Sequence, residues 1–230
     1  MRTWIKVTIA VAVLAGLLVG ADRIAVVVAE GQAADKLAGR QGITGKPSVS
    51  IDDFPFLTDL ISRKVDSVHL SGGGVQLSGG TQNVELQDFS ADLKGVRIGG
   101  DDKSATIDSG TGTGKVSYQQ VQSLLALQPG TSIGYGGPGL LKVSGEVFGR
   151  KLSTDVKLTT QGNTVHVDTT GALSGLAALP GVSQMIDSKF GPRDFTLQGQ
   201  MPVGLQLEQV TPEPDGLALT FQGTNMHLAG

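Results

Sequence analysis

The chain begins with a short basic segment followed by an apolar run without charge. Arg2 and Lys6 lie in the basic segment, Val7–Ala21 carries no charged side chain, and Asp22-Arg23 ends the run. The run has 15 residues. With the two residues before a snorkelling Lys6, it approaches the ~20 that a helix needs to cross a bilayer. The start of the chain is therefore predicted to be a membrane-inserting helix.

The charges around this helix predict its orientation. Basic residues ahead of an apolar segment stay in the cytoplasm, so the rest of the chain lies on the extracytoplasmic side. A signal peptide has the same layout, but no A-x-A cleavage site follows directly and Arg23–Leu37 continues with helical spacing. We expect one uncleaved anchor, residues 1–22, and one domain, residues 23–230, held at the cell membrane. Cleavage would instead release the domain into the envelope.

Composition excludes several classes of function. Hydrophobic residues make up 39%, aromatic residues only 4%, and there are 34 glycines, which favours strands and turns with a core of Val, Leu and Ile. The net charge is −3 without a block of like charges, which argues against a nucleic-acid partner. The chain has no cysteine, so it has no disulfide, thiolate metal site, cysteine nucleophile or lipoprotein anchor.

Most of the chain alternates apolar and polar residues, the pattern of half-buried strands. Short glycine-rich turns separate the runs and favour antiparallel pairing. Because no strand–helix–strand unit repeats, the predicted fold class is α+β: a long curled antiparallel sheet wrapped on two or three amphipathic helices, plus the N-terminal helix. The predicted strands are Lys46–Asp53, Val65–Leu77, Val84–Ile98, Ala105–Val116, Leu140–Phe148, Leu152–Thr160, Thr164–Thr169, Gly204–Val210 and Leu217–Phe221, with a short strand at Met226–Leu228.

Helical segments are predicted at three further places. Thr58 is expected to cap a short helical turn. Ser117–Gln120 matches a capping box, in which the serine accepts the N3 amide and the glutamine reaches back, and it opens a helix that extends to Leu127. A last helix is predicted over Gly175–Phe190, and the intervening Gly130–Gly139 is predicted to be a loop.

The motifs that resemble catalytic or cofactor sites lack their context. Gly130–Gly134 has the letters of a G-x-S-x-G elbow around Ser132, which needs a preceding strand and a following helix. Gly134–Gly139 matches G-x-G-x-x-G, but a strand-like run follows it instead of a helix. The histidines His69, His166 and His227 are far apart and show no ligand spacing. We therefore expect no enzymatic activity, no cofactor and no metal site.

Apolar surface is the feature left unexplained. Phe54, Phe56 and Leu57 form a compact patch around Pro55, and the later helices have apolar sides. Most such residues fill a core, but together they also favour an elongated apolar slot, the usual form of a site for acyl chains. The candidate lipid-binding residues are Phe54, Phe56, Leu57, Val121, Leu124, Leu125, Leu176, Leu179, Met185 and Ile186.

One stretch resembles a known family. Gly45–Thr58, with its F-P-F-L core, looks like the actinobacterial LmeA-like phospholipid-binding family, whose members carry G-x-P-x-V-x-I-x-x-F-P-F-L after an N-terminal apolar helix. The likeness continues from about Ala21 over nearly the whole chain, through Val65–Val68, Leu93–Ile98, Pro202–Leu207 and Asp215–Leu217.

The resemblance implies an envelope protein that binds phospholipids, of phosphatidylinositol type in the mycobacterial member, and supports elongation of the mannan of lipomannan. It also implies a fold similar to tubular lipid-binding domains. Two other functions stay open: a structural protein without a lipid ligand that modulates an envelope glycosyltransferase through the Phe54–Leu57 patch, and a hydrolase that uses Ser132.

Overall fold

The computed structural model of the chain describes residues 2–38, 43–79, 82–100, 104–124, 130–147, 150–169, 193–196 and 203–228. Within these ranges the fold is α+β, which confirms the predicted fold class. The helices are α1 (Arg2–Ala38), α2 (Phe56–Ser62) and α3 (Tyr118–Leu124). The strands are β1 (Ile43–Thr44), β2 (Ser48–Ile51), β3 (Lys64–Gly79), β4 (Gln82–Ile98), β5 (Ala105–Val116), β6 (Ser132–Gly137), β7 (Leu140–Val147), β8 (Arg150–Gln161), β9 (Thr164–Thr169), β10 (Arg193–Thr196), β11 (Leu205–Glu213) and β12 (Gly216–Leu228).

The described strands form two antiparallel sheets where one was expected. A seven-stranded sheet has the order β1–β3–β4–β5–β12–β11, with β2 also paired to β3. A five-stranded sheet has the order β10–β9–β8–β7–β6. The chain leaves the first sheet after β5, builds the second, and returns to place β12 against β5. Local alternation identifies strands but not their distant partners, which is why the division was not predicted.

Helix α1 runs without a break from Arg2 to Ala38 and so joins the predicted anchor to the helix predicted after it. Every residue from Val11 to Ala21 is exposed. The segment Val11–Ala38 contains a stretch of mean hydropathy 2.2, long and apolar enough to cross a membrane, although a signal sequence has the same properties. Beyond Asp22 one side of the helix packs on the domain, where Val26 and Ala34 are 6% and 5% exposed.

Buried apolar side chains form two clusters near the two ends of β5. The helix cluster joins α1 and α2 to the seven-stranded sheet and consists of Val26, Ile51, Phe56 and Val65. The sheet cluster lies between the two sheets and consists of Leu86, Val116, Ile133, Leu141, Val156, Leu207, Val210, Leu217 and Phe221.

Both β4 and β12 bend beside Asp108 of β5. Gly95 has a φ of 64° and Asn225 a φ of 49°, and each lies between the residues that pair with Ile107 and Ser109. A Cβ atom at Gly95 would collide with the Asp108 carboxylate, so only glycine fits there. These bends separate the part of the sheet that carries the helix cluster from the longer, regular part.

Several predicted elements need correction. The predicted loop Gly130–Gly139 contains strand β6, because Gly134 and Gly137 pair with β7 and only Gly136 is left out of the ladder. Helix α2 begins at Phe56, so Thr58 is inside it and does not cap it; its hydroxyl donates to Pro55 O at 2.7 Å. The final two predicted strands are one strand, β12. The predicted helix Gly175–Phe190 lies outside the described residues.

Candidate functional site

One face of the seven-stranded sheet is apolar from β2 to β12. Residues that pair directly across neighbouring strands point to the same face. One such row crosses the sheet at its middle, and the adjacent row on the same face lies nearer the helix cluster. The two rows are Val49–Leu70–Ala91–Gly112–Phe221 and Ile51–Val68–Leu93–Gly110–Gly223. We call this surface the apolar face.

The centre of the apolar face is a glycine strip made of Gly110, Gly112 and Gly114, at alternate positions of β5. One end of β5 continues to Val116 in the sheet cluster. Toward the other end Ile107 pairs with Val96, which packs on the helix cluster. The glycine strip therefore runs between the two clusters, with the Leu93 and Met226 side chains against Gly110 and the Leu86 side chain against Gly114.

This middle region is less covered than its ends. Leu70, Ala91 and Gly112 are half-buried, whereas Val49 and Phe221 at the two ends of the same row are 8% and 7% exposed. A Cβ atom on Gly112 would meet only ordinary contacts, the nearest being Ser90 O at 3.6 Å. The middle of the apolar face therefore keeps partial access to solvent at Gly112, whereas Gly110 and Gly114 are buried. A partly exposed apolar surface of this kind favours an apolar ligand.

The opposite face of the same sheet is polar. Thr111 and Thr113 are exposed between the glycines, and His69 Nδ1 lies 2.7 Å from Asp92 Oδ1. The two faces of the sheet therefore differ in polarity, and the glycine side is the apolar one. Within the part of the chain that the structure describes, no group of three or more His, Asp or Glu side chains is placed to hold a metal ion.

The F-P-F-L motif is fixed to α1 at one end of the apolar face. Phe56 is 3% exposed in the helix cluster. The Leu57 backbone N–H donates to Asp22 Oδ1 at 2.9 Å, and the Asp22 side chain is only 2% exposed. A buried carboxylate therefore ties the start of α2 to α1, and a Glu30 carboxylate oxygen accepts the Ile51 N–H at 2.8 Å in the same region.

Arg23 completes this junction from the exposed side. Its guanidinium lies 2.6 Å from Asp22 Oδ2, donates to Asp53 O at 2.9 Å, and sits 5.2 Å from the centre of the Phe54 ring. Phe54 itself remains 64% exposed. The two phenylalanines of the motif thus differ: Phe56 is part of the core and Phe54 is a surface side chain held by a cation–π contact.

Three carboxylates surround the first turn of α2. Burial raises the pKa of Asp59, and the negative charges of Asp53 and Asp66 raise it further. Asp53 accepts the backbone N–H groups of Asp66 and Ser67, so it is held in place beside Asp59. Deprotonation of Asp59 at neutral pH is therefore unfavourable to the folded state.

We expect Asp59→Asn to stabilise the folded chain at pH 7. A carboxyl whose pKa is raised by folding destabilises the protein as the pH rises from its ordinary value, ~3.9, through the raised folded value. The substitution removes that loss, so the thermal midpoint should increase at pH 7 and change little near pH 3. Thermal unfolding followed by circular dichroism tests this. Asp168→Asn removes an equal charge in the other sheet and should not reproduce the effect; equal midpoints for the two variants at pH 7 would contradict the argument.

Helix α3 lies at the other end of the glycine strip. Tyr118 and Val121 pack on the sheet cluster, and the Tyr118 hydroxyl donates to Glu213 O at 2.5 Å. Burial raises the pKa of Tyr118. The predicted capping box is half formed: Gln120 N donates to Ser117 Oγ at 3.3 Å, whereas Gln120 Oε1 is buried without a hydrogen-bond partner and does not reach back.

The glycine motifs are not nucleotide or nucleophile sites. Ser132 begins strand β6 and no helix follows it, which is incompatible with a nucleophile elbow. Strand β7 follows Gly139, as predicted, so no helix N-terminus is available for a pyrophosphate. The hydrolase hypothesis therefore has no structural support at Ser132.

The predicted lipid-binding residues fall into two groups. Phe54, Phe56 and Leu57 lie together at the helix cluster, and Val121 lies on the sheet cluster at the far end of the strip. Leu124 ends α3. Leu125, Leu176, Leu179, Met185 and Ile186 lie outside the described residues.

The residues between these groups were missed from the sequence. Leu70, Ala91 and the glycine strip contain mostly small side chains, which give no strong apolar signal. The signal was nevertheless present, because three glycines at alternate positions must share one face of a strand. The register shift between β4 and β5 lies in β4, where Asp88 has a φ of 49°.

The fold and this site define an α+β protein with an apolar N-terminal helix and a partly open apolar sheet face. A family model described as LmeA-like phospholipid-binding matches residues 20–222, most of the chain. The chain therefore belongs to the LmeA-like phospholipid-binding family, which confirms the resemblance seen in the sequence and supports a phospholipid-binding role. No curated protein and no solved structure gives a significant match.

Proposed function

We propose that this protein is a membrane-anchored, non-enzymatic phospholipid carrier of the cell envelope that holds acyl chains on its apolar face. The observation that carries the proposal is the half-buried middle of the apolar face, at Leu70, Ala91 and Gly112, between two buried clusters. A partly exposed apolar surface of this kind costs ~25 cal/mol per Å² in water, a cost that a bound acyl chain removes. Membership in a phospholipid-binding family supports the same ligand class.

The predicted contact residues mark the two ends of the proposed site. Phe54 and Leu57 would meet the ligand near the helix cluster, and Val121 and Leu124 would meet it beyond the sheet cluster. We include Leu125, Leu176, Leu179, Met185 and Ile186 in the site because their apolar spacing remains a prediction from the sequence. Phe56 would act mainly by holding α2 against α1, because its side chain is 3% exposed.

The N-terminal half of α1 supports anchoring. Val11–Ala21 is exposed along its whole length and has no partner surface in the described domain, so water is an unfavourable environment for it. Arg2 and Lys6 ahead of it favour an extracytoplasmic domain. A role in lipoglycan or envelope assembly, with phosphatidylinositol-type lipids as the first ligands to test, extends this proposal from the family resemblance.

Lipid analysis of the purified full chain tests the proposal. The protein is extracted in detergent, washed free of loosely held lipid, and its organic extract is examined by mass spectrometry with a phosphorus-to-protein ratio. We expect a phospholipid to remain after washing. Repeated preparations without phospholipid would contradict a lipid-carrying function and favour the structural role.

A further inference from the structure

Helix α2 exposes apolar side chains that the described part of the domain does not cover. Leu60 and Ile61 are 59% and 86% exposed, and the neighbouring Phe54 is 64% exposed. The only buried residue of this short helix is Phe56. We call Leu60 and Ile61 the α2 patch; exposed large apolar residues in this arrangement are characteristic of a contact surface.

The position of the α2 patch along the axis of α1 follows from the contacts at Asp22. The Leu57 N–H bond to Asp22 and the Arg23 bond to Asp53 O fix α2 at that level of α1. Sixteen residues separate Lys6 from Asp22, which at 1.5 Å per residue is about 24 Å. The hydrocarbon core of a bilayer is ~30 Å thick. With Lys6 at the inner boundary, Asp22 lies about 6 Å short of the outer boundary, which places the α2 patch close to the outer boundary of the membrane.

Helix α1 also exposes large apolar side chains at this level of its axis. Ile24, Val27 and Val28 follow Asp22 and are 68%, 67% and 52% exposed. The apolar surface of the anchor thus continues past Asp22 to the level of α2. Two separate elements leave large apolar side chains exposed at one height, and a bilayer is the partner that covers both at once.

The charges near the patch favour apolar insertion over attraction to anionic lipids. Asp53, Asp59 and Asp66 lie close to one another at α2, and Lys64 Nζ is paired with Asp66 at 2.6 Å. No basic excess is available there to bind a negatively charged surface.

We propose that the α2 patch inserts into the outer boundary of the membrane and places the helix-cluster end of the apolar face against the bilayer. Ile51 and Val68 of that face pack beside Phe56 and Val65. An acyl chain that leaves the bilayer at this point passes directly onto the apolar face without crossing water. This inference rests on the proposed membrane anchoring, but it does not depend on which lipid is bound.

Site-directed spin labels test the inference on the full chain, which has no native cysteine. Three single variants are reconstituted in vesicles of phosphatidylcholine and phosphatidylglycerol: Ile61→Cys in the patch, Val13→Cys in the anchor, and Gln222→Cys on the exposed polar side of β12. Collision rates with oxygen and with a water-soluble nickel chelate report the depth of each label. We expect lipid exposure at positions 61 and 13, aqueous exposure at position 222, and little change at position 61 when salt is raised.

Each outcome is decisive. A lipid-exposed label at position 13 with an aqueous label at position 61 overturns the inference, leaves the anchoring intact, and makes a protein partner the occupant of the patch. Aqueous labels at both positions overturn anchoring and the inference together. Lipid exposure at both positions supports both.

A double variant, Leu60→Asn with Ile61→Asn, separates the patch from the ligand site. It should keep its co-purified phospholipid but exchange it with vesicles containing a fluorescent phosphatidylglycerol about tenfold more slowly. An unchanged exchange rate would overturn the inference. Loss of the bound lipid would also overturn it, because the patch would then belong to the ligand site itself.

Discussion

Replacement of Gly112 by leucine is expected to remove most of the bound phospholipid while the protein stays folded. The new side chain covers the half-buried middle of the apolar face, where a Cβ atom meets no neighbour closer than 3.6 Å. It displaces two or three methylenes of the ligand at ~0.8 kcal/mol each. The loss of about 2 kcal/mol corresponds to a roughly thirty-fold weaker affinity.

The matched control for this variant is Thr113→Leu. Thr113 is the next residue of β5, but it is exposed on the polar face. The same leucine there should leave the phosphorus-to-protein ratio unchanged. Thermal unfolding of both variants establishes that each is folded. A Gly112→Leu protein that is folded and still carries lipid at the level of Thr113→Leu would place the ligand elsewhere than the glycine strip.

Truncation of Leu207 to alanine is expected to lower the free energy of unfolding by about 2–5 kcal/mol, the usual range for a buried leucine. Leu207 is 2% exposed in the sheet cluster. Its N–H donates to Asn163 Oδ1 at 3.1 Å, which ties β11 to the turn between β8 and β9. A cavity at this position weakens the packing between the two sheets.

Denaturant unfolding of the full chain in detergent measures this effect. Gln206→Ala is the control, because Gln206 is the adjacent residue and points to solvent; surface substitutions of this kind usually change stability by less than ~0.5 kcal/mol. Equal midpoints for the two variants would show that the sheets do not depend on each other for stability.

Strand positions were well predicted because alternation is a local property. The predicted strand Ala105–Val116 has the observed bounds, and the predicted pairing of the two preceding strands is confirmed. The capping serine of α3 was also recognisable, since a cap depends on four consecutive residues.

The division into two sheets could not be obtained in the same way. Leu217 pairs with Val116 across a separation of about a hundred residues, and no local pattern specifies such a partner. Strand β6 was missed because its glycines resemble a loop, yet they pair in the interior of a hairpin. In both cases long-range pairing decides the structure. For β6 it overrides the local preference for a loop, and for the Leu217–Val116 pair there is no local preference at all.

The candidate site shows a similar limit. Phe54 and Phe56 look equivalent in the sequence, but only the contact with α1 determines that Phe56 is buried and Phe54 exposed. Asp22 looked like the charged end of an apolar run, and the structure makes it the acceptor that positions α2. Sequence patterns predicted which residues are apolar; the packing of α1 on the sheet decided which of them meet solvent.

The pairing of β5 with β12 also determines the order in which the domain can be completed during synthesis. Strands β3, β4 and β5 are adjacent in the chain and pair early. The N–H and C=O groups at the outer edge of β5 then stay unpaired until β12, the last described strand, has been made. Throughout that interval a glycine-rich edge beside an apolar surface is open to wrong partners, the condition under which partly folded chains aggregate. Prompt arrival of the C-terminal hairpin is therefore a requirement for biogenesis, and substitutions that slow β11–β12 formation should reduce yield more than they reduce the stability of the finished protein.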